Sequence, residues 1–322
     1  MKELYIILII IGVVVLLSAL IAPAIIIPYK VSKKVYLKQF VRINKEKWAR
    51  ECSDTTNEEQ VIMFDYSLKF ASENKDKHQK LHMVNDNLNL YADYYDFGFK
   101  RAVVLCAGRA ECSLYALYYT NPYIKAGYNI LSIETRAHGD SEGEINHLGL
   151  KEYKDVLKWI KILHDEYNME EIVLHGICIG SATLVYAITD EECPSYVKSL
   201  TTDGLYKDFK STLVKHIKDT GHKAFPCANF ILHKVSKDAG LNINKFTPYN
   251  LADKIKIPVL MLHSKMDKFS IPEKAQLTFD KMTSSPNKKL VWFDKGAHSH
   301  IRINNQEKYD EEIIDFLRGI NG

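Results

Sequence analysis

Residues 171–187 read EIVLHGICIGSATLVYA, and this stretch decides the fold. The aliphatic run at 172–175 predicts a buried strand, and residues 181–187 are compatible with a helix. Between them, Gly176-Ile177-Cys178-Ile179-Gly180 has the pattern glycine–x–nucleophile–x–glycine in a strand–turn–helix context. Glycine suits both flanking positions because the backbone approaches closely at such a strained turn, and the following helix N-terminus stabilises an anion at Cys178. The alternative is a buried structural cysteine beside chance glycines, which the strand before it and the helix after it disfavour.

The same alternation of short apolar runs and helix-length segments continues through the C-terminal part of the chain. Further strands are predicted at 101–106, 129–133, 197–202, 257–263 and 289–293. Near-continuous aliphatic runs are typical of strands buried on both faces. The pattern therefore predicts an α/β fold with a mostly parallel, twisted sheet and helices on both faces.

Two other segments depart from this alternation. Residues 80–84 and 88–95 flank Asn85-Asp86-Asn87 and predict an antiparallel hairpin at one edge of the sheet. Residues 204–250 lack a clear strand and contain several aromatic side chains. We expect this segment to be an insertion that forms a helical lid over the strand ends.

The N-terminus forms a separate unit. Residues 4–27 carry no charge, and about 24 helical residues span about 36 Å, which is enough to cross the ~30 Å hydrocarbon core of a bilayer. We therefore expect an N-terminal transmembrane helix that anchors the chain at residues 1–29. A cleaved secretory signal is the alternative, because Ala22-Pro23-Ala24 resembles a cleavage site, but the apolar run continues beyond it to Ile27.

Basic residues follow this apolar run closely. Lys2 precedes it, whereas seven lysines and arginines crowd residues 30–47. The positive-inside rule then places the rest of the chain in the cytoplasm. We predict a single-pass membrane protein with a basic, helical linker at 30–78 and a catalytic domain at 79–322. Residues 31–48 of this linker are expected either to lie along an anionic membrane surface or to form a solvated helix.

Composition excludes several classes of protein. The formal net charge is only +3 and the surplus is local to that basic stretch, so a nucleic-acid partner is not expected. The six cysteines are irregularly spaced and include no Cys-x-x-Cys pair. No zinc or other metal site is therefore expected, and the thiols are expected to be free in a reducing compartment.

Four further motifs occur in order along the chain. They are VVLCAG at 103–108, ETRAHGDSEG at 134–143, HSKMD at 263–267 followed by Ile271-Pro272, and Gly296-Ala297-His298. With the glycine–cysteine turn they make the chain resemble the α/β-hydrolase superfamily, in particular its membrane-anchored bacterial hydrolases of the cinnamoyl-esterase-like group. The four motifs resemble, in turn, that family's strand ending in His-Gly, its D-x-R-G-H-G-x-S-x-G loop, its acid-bearing loop and its histidine loop. The resemblance implies an α/β-hydrolase fold from about residue 79 to the C-terminus.

In this fold the catalytic residues follow one another as nucleophile, acid and histidine. The resemblance implies Cys178, where most relatives carry serine, then Asp267 and His298. The last two follow predicted strands, at the carboxyl ends where open α/β sheets build their sites. His298 would take the thiol proton, and Asp267 would orient the imidazole. His300, two residues from His298, and Asp203, which follows another predicted strand, are the alternatives.

The oxyanion hole is expected to use two backbone N–H groups. One belongs to Ile179, after the nucleophile, and the other to Arg109, in the loop after the first long parallel strand. The sequence departs from the family pattern in this part of the site. Ala107 stands where a histidine normally supports the loop, and Glu134 and Ala137 replace an aspartate and a glycine.

These features predict an acyl hydrolase that acts on a small-molecule carboxylic ester or thioester. It would work through an acyl-cysteine intermediate and require no cofactor. Two alternatives remain open. An acyltransferase could use the same residues, because amines and thiols readily attack an acyl-cysteine, and a non-catalytic, membrane-bound binding protein could retain the same fold.

Overall fold

The computed structural model describes residues 2–321. Within that range eight strands form one sheet in the order β1-β2-β4-β3-β5-β6-β7-β8. Strands β1 and β2 pair antiparallel with their neighbours, whereas all pairs from β4 across to β8 are parallel. The predicted mostly parallel sheet is therefore confirmed. The strands are β1 His78–Asn85, β2 Leu88–Tyr95, β3 Arg101–Cys106, β4 Asn129–Ile133, β5 Glu171–Ile177, β6 Val197–Asp203, β7 Val259–Ser264 and β8 Lys288–Phe293.

Helices surround this sheet. Every residue of β4 and β7 is buried, as expected for parallel strands covered on both faces. Helix α5 packs on α6, and α12 packs on α4. The helices are α1 Lys2–Phe40, α2 Glu58–Glu73, α3 Ser113–Ala116, α4 Asn121–Lys125, α5 Glu152–Asp165, α6 Ile179–Ile188, α7 Phe209–Asp219, α8 Cys227–Ala239, α9 Pro248–Leu251, α10 Pro272–Asp280, α11 Ile301–Asn304 and α12 Gln306–Asn321, with short 3₁₀ turns at Leu117–Tyr119 and Ala252–Lys254.

The hairpin predicted at the sheet edge is present as β1 and β2. Asp86 and Asn87 connect the two strands, and both have positive φ angles, +50° and +61°. This is the backbone of a two-residue type I′ turn, which asparagine and aspartate tolerate better than most residues. The hairpin places β1 at the outer edge, away from the central strands that carry the site.

Helix α1 changes character along its length. It is the one helix within residues 2–321 that is long and apolar enough to cross a membrane, and its apolar run is exposed. In its last turns Ser32, Tyr36 and Phe40 are buried. These residues are four apart and so share one face of the helix. The N-terminal part of α1 is therefore apolar and exposed, whereas its C-terminal turns pack on the rest of the protein.

Residues 41–77, which belong to the stretch predicted as a linker, pack directly on the sheet. Helix α2 buries Met63 and Phe64. Arg50 forms an ion pair with Asp93 of β2, with 2.9 Å between Nη2 and Oδ2. The predicted boundary at residue 79 thus separates elements that share one core.

Helices α7, α8 and α9 lie between β6 and β7, which confirms the helical insertion predicted at 204–250. Helix α8 packs on the end of α1. The rings of Tyr29 and Phe230 meet edge to face at 5.7 Å, and those of Phe40 and Phe209 at 5.9 Å. The lid is therefore attached to the helix that we expect to anchor the chain.

Candidate active site

Cys178 lies at the turn between β5 and α6 in an unusual backbone conformation. Its φ is +55° and its ψ is −115°, a combination that is strained for a residue with a side chain. The Cys178 N–H donates to the carbonyl oxygen of Asp203 at the end of β6, at 2.8 Å. Cys178 is also the residue that precedes the first turn of α6, so the unpaired N–H groups of that turn face its surroundings.

The two glycines that flank Cys178 are required by close contacts. A Cβ atom on Gly180 would lie 2.0 Å from the carbonyl oxygen of Cys106, at the end of β3. A Cβ atom on Gly176 would lie 2.4 Å from the amide nitrogen of Ser181. Both distances are far below any real carbon contact, so no other residue fits without moving the backbone. The sequence pattern of the turn therefore has a steric cause.

Asp267 and His298 meet at the ends of β7 and β8. Asp267 Oδ2 lies 2.7 Å from His298 Nδ1, and Oδ1 accepts the backbone N–H groups of Phe269 and Ser270 at 2.8 and 2.7 Å. Burial by itself raises the pKa of Asp267, but the charge of His298 and the hydrogen bond to it lower that pKa further, to below its usual value. The carboxylate is thus held ionised against the imidazole.

The other nitrogen of His298 is directed into the site. Nε2 is buried and makes no hydrogen bond of ordinary geometry within residues 2–321. Burial alone lowers the pKa of His298, but the negative charges of Cys178 and Asp267 outweigh it and raise that pKa well above its usual value. Cys178 and Asp267 therefore act on one imidazole, in the arrangement of a nucleophile, a base and an orienting acid.

The two alternative residues have other partners. His300 Nδ1 lies 2.8 Å from the carbonyl oxygen of His298, and its Nε2 lies 2.9 Å from Gln60 Oε1. Asp203 is fully buried, and its Oδ2 accepts the hydroxyl of Tyr309 at 2.9 Å. Burial raises the pKa of Asp203 to about 7, whereas the carboxylate beside His298 has a lowered pKa. The geometry pairs His298 with Asp267 rather than with Asp203.

The loop after β3 adjoins the nucleophile. A Cβ atom on Gly108 would lie 3.5 Å from the Cβ of Cys178. Within residues 2–321 neither the Arg109 N–H nor the Ile179 N–H donates a hydrogen bond. Both predicted oxyanion donors are thus near Cys178 and open to an incoming oxygen.

Sequence analysis missed the residues that hold this loop. Glu111 Oε2 accepts the Gly108 N–H at 3.0 Å, and Glu111 Oε1 accepts Gln60 Nε2 at 3.1 Å. Gln60 belongs to α2, and its side-chain amide oxygen contacts His300 Nε2. Glu111 could have been noticed as an acidic residue in a loop that lacks its usual histidine. Nothing in the sequence indicates that Gln60, about 50 positions earlier, would reach it.

His138 supports the same loop from another side. Its Nε2 accepts the Ala110 N–H at 3.2 Å, and its ring stacks on Trp48 with the centroids 4.6 Å apart. Burial lowers the pKa of His138 to about 4, so the ring is neutral at physiological pH and can accept that hydrogen bond. Glu111 and His138 therefore support the loop after β3, as the histidine that Ala107 replaces would normally do.

Comparison with known proteins agrees with this geometry. A family model described as alpha/beta hydrolase fold matches residues 101–268, which include Cys178 and Asp267. The chain belongs to the alpha/beta hydrolase fold family. As an alpha/beta hydrolase, it carries its candidate nucleophile after β5, its acid after β7 and its histidine after β8, in the order that this fold uses.

Individual relatives of this alpha/beta hydrolase are distant. An uncharacterized protein of Bacillus subtilis, YqkD, is 25% identical over 225 residues, which cover 68% of this chain and 72% of that protein. The esterase Pf2001 of Pyrococcus furiosus is 22% identical, covers 78% of this chain and 96% of its own, and superimposes with a TM-score of 0.63. An alpha-beta hydrolase of Vibrio vulnificus is 17% identical over 83% of this chain and 89% of its own, with a TM-score of 0.60. These solved structures share the fold.

Proposed function

We propose that the protein is a membrane-anchored acyl hydrolase that cleaves a carboxylic ester or thioester through an acyl-cysteine at Cys178. The single observation that carries the proposal is the strained, positive-φ cysteine at a strand–helix turn beside an imidazole whose other nitrogen is bound to a carboxylate. Backbone strain of this kind persists only where the surrounding structure enforces it, and it clusters at functional sites. A purely structural cysteine would need neither the strain nor the histidine.

The proposed acylation uses Cys178 and His298. The thiol proton passes to His298 Nε2, and the sulfur forms a bond to the carbonyl carbon while the carbonyl π electrons move to its oxygen. The N–H groups of Arg109 and Ile179 stabilise that oxyanion. When the oxyanion collapses, the bond to the leaving oxygen or sulfur breaks, and His298 returns the proton to the leaving group.

Deacylation repeats these steps with water. His298 takes a proton from water, the hydroxide oxygen attacks the thioester carbon, and the carbon–sulfur bond breaks. The carboxylic acid leaves and Cys178 recovers its proton. Asp267 keeps the imidazole in the tautomer that both halves require and stabilises the imidazolium. No cofactor or metal takes part.

The proposed location rests on α1 and the basic residues after it. The apolar run of α1 would cross the bilayer, and the lysines at 30–47 would keep the hydrolase part on the cytoplasmic side. Residues 1–29 would be the anchor, and the packing of the segment after α1 favours a catalytic unit that includes residues 41–78 as well as 79–322. Cytoplasmic thiols stay reduced, which suits a cysteine nucleophile.

The test is hydrolysis of p-nitrophenyl butyrate and of a butyryl thioester by the full-length protein in detergent. We expect turnover that is lost in Cys178→Ala and kept in Cys193→Ala, a matched change at another cysteine. Formation of the N-butyryl amide when an amine is added would instead support acyl transfer through the same residues. Equal rates for the wild type and Cys178→Ala would refute the proposal and leave a non-catalytic protein.

A further inference from the structure

A cavity of about 660 Å³ lies between α1, the lid helices α7 and α8, and the candidate site. Its volume is within the range of ligand pockets. Most of its lining is apolar, with Val35 on one wall and Leu213 and Ile231 on the other. Its far end is formed by Ile27 and Pro28 of α1, where the apolar run of that helix ends.

The near end of the cavity is formed by residues that adjoin the candidate site. Arg109, whose N–H is a candidate oxyanion donor, and Phe269 both line it. The Phe269 ring lies 4.8 Å from the ring of His298. Arg109 Nη1 lies 2.7 Å from Gln39 Oε1, so α1 itself contacts the oxyanion loop. The cavity therefore extends from the membrane end of α1 to residues that adjoin the site.

The length of the cavity matches one acyl chain. It follows α1 from Ile27 to Gln39, and this stretch of helix is about 18 Å long at 1.5 Å per residue. One leaflet of a bilayer has about 15 Å of hydrocarbon, half of a ~30 Å core, which is the depth that a lipid tail fills. A straight tail would thus extend from the end of the apolar run to Arg109.

Specific contacts fix α1 as a wall of this cavity. The Tyr36 hydroxyl donates to Asp238 of α8. Cys227 Sγ lies 3.5 Å from the Pro28 carbonyl oxygen. The loop just before Cys227 carries Phe225, whose side chain is 76% exposed beside the membrane end of α1. An exposed aromatic ring at that position suits the headgroup region of a bilayer.

Cations surround the apolar lining. Lys38, Arg109 and Lys223 all line the cavity, and none of them forms an ion pair with a carboxylate in the part of the chain that the structure describes. Positive charge beside an apolar channel attracts an amphiphile whose head is anionic.

We propose that the substrate is an anionic, single-chain acyl amphiphile taken from the bilayer, whose tail lies along α1 while its carbonyl reaches Cys178. The inference rests on the proposed hydrolysis for the chemistry at Cys178, and on the cavity alone for the position of the tail. An amphiphile that moves into this cavity keeps its tail directed towards the membrane. The anchor helix is then part of the substrate-binding site.

Photocrosslinking tests the position of the tail without any need for turnover. Full-length protein with Cys178→Ala is placed in vesicles of phosphatidylglycerol and phosphatidylethanolamine that contain lysophosphatidylglycerol with a diazirine in its palmitoyl chain. We expect adducts on α7 and α8 peptides that contain Leu213 and Ile231, several-fold fewer with Val35→Trp, and an unchanged yield with Leu37→Trp. Leu37 is the matched control because it is exposed and lies on the other side of α1. Adducts confined to residues 4–27 would overturn the proposed position of the tail. An equal yield from the lysophosphatidylcholine analogue of the probe would overturn the preference for an anionic head.

Chain-length kinetics test the same cavity in the active protein. We expect Val35→Trp to lower kcat/KM for p-nitrophenyl palmitate at least tenfold more than it lowers kcat/KM for p-nitrophenyl butyrate. A loss that is equal for both esters, or absent for palmitate, would overturn the inference. The two failures are distinguishable, because crosslinking without turnover of either ester would refute the proposed hydrolysis and keep the acyl cavity.

Discussion

Two regions adjoin the candidate nucleophile, and they are built in different ways. The acid–histidine arm, Asp267 and His298, comes from loops that directly follow two neighbouring strands, β7 and β8. The oxyanion loop, residues 107–112, is held by residues that are distant in sequence, Gln60 and His138. The first region is positioned chiefly by the sheet and touches the N-terminal segment through His300 and Gln60. The second region is held directly by that segment, which packs on the sheet.

This difference locates the unusual features of the protein. The acid–histidine arm follows the pattern of its family without change. The oxyanion loop lacks the customary histidine at position 107 and is supported instead by Glu111, which binds the Gly108 N–H. The N-terminal segment therefore contacts the candidate site, and changes in it should affect the oxyanion loop more than the acid–histidine arm.

The largest expected effect comes from removing the N-terminal segment. The fragment 79–322 loses α2, whose Met63, Phe64 and Phe70 are buried. Each such side chain contributes about 1.5–3 kcal/mol, and the sum is comparable with the whole stability of a domain, about 5–15 kcal/mol. We expect 79–322 to be unfolded and 42–322 to be folded. Circular dichroism and thermal unfolding would check this. A cooperative transition in 79–322 would show that the sheet folds without the N-terminal segment.

The next effect concerns the acid–histidine arm. Asp267→Asn removes the charge that orients His298, and loss of such an orienting carboxylate costs about 10⁴-fold in rate. We expect kcat/KM for a p-nitrophenyl ester to fall by that factor. Asp203→Asn is the matched control, because this buried carboxyl bonds Tyr309, and it should change the rate less than about fivefold, far below the cost of a triad residue. If Asp203→Asn lowered the rate more than Asp267→Asn, Asp203 rather than Asp267 would be the acid that orients His298.

A smaller effect is expected at the oxyanion loop. Glu111→Gln turns one of two accepting oxygens into a donor, so either the Gly108 N–H or Gln60 loses its partner. Removal of an oxyanion donor costs about 10²–10³ in kcat, and displacement of a loop that carries one should cost less, about tenfold. We expect kcat to fall while KM changes little. Glu51→Gln, at an exposed glutamate, serves as the control, and an equal loss there would remove the support for Glu111 as a positioning residue.

The smallest effect is a difference in pH dependence between the two carboxylates. The pKa of Asp203 is raised to about 7 by burial, so its ionisation opposes folding, and stability falls as the pH rises from about 4 to about 7. Asp203→Asn should remove this fall. Relative to the wild type, its free energy of unfolding should therefore increase by on the order of 2–4 kcal/mol between pH 4 and pH 8. Asp267 has a lowered pKa, so it stabilises above its usual pKa and this contribution is lost as the pH falls.

Thermal unfolding of both variants from pH 2 to pH 8 measures this contrast. Relative to the wild type, Asp203→Asn should gain in melting temperature between about pH 4 and about pH 7, whereas Asp267→Asn should lose as the pH rises to about 4 and then stay level. Parallel curves for the two variants would mean that the two carboxyl groups do not differ in ionisation.

The sequence predicts the sheet and the proximity of Asp267 to His298, because both are encoded locally. Runs of aliphatic residues mark the strands, and Asp267 and His298 follow two of those runs directly. The turn at Cys178 is likewise local, since Gly180 must clear the Cys106 carbonyl oxygen.

The support of the oxyanion loop could not be predicted in the same way. It depends on contacts between Gln60, Glu111 and His138, which lie tens of residues apart and belong to no motif. The packing of residues 41–77 on the sheet was missed for the same reason. Their polar composition suggests a linker, and only the tertiary structure shows that Arg50 pairs with Asp93.

The central claim is that Cys178 becomes acylated, and mass spectrometry of a trapped intermediate tests it most directly. The full-length protein is mixed with p-nitrophenyl butyrate, quenched in acid within seconds and digested. The account predicts one butyryl group on the peptide that contains Cys178, and none on that peptide from His298→Ala. Release of nitrophenol with no adduct on that peptide, or with the butyryl group on Ser181 or another cysteine, would contradict it.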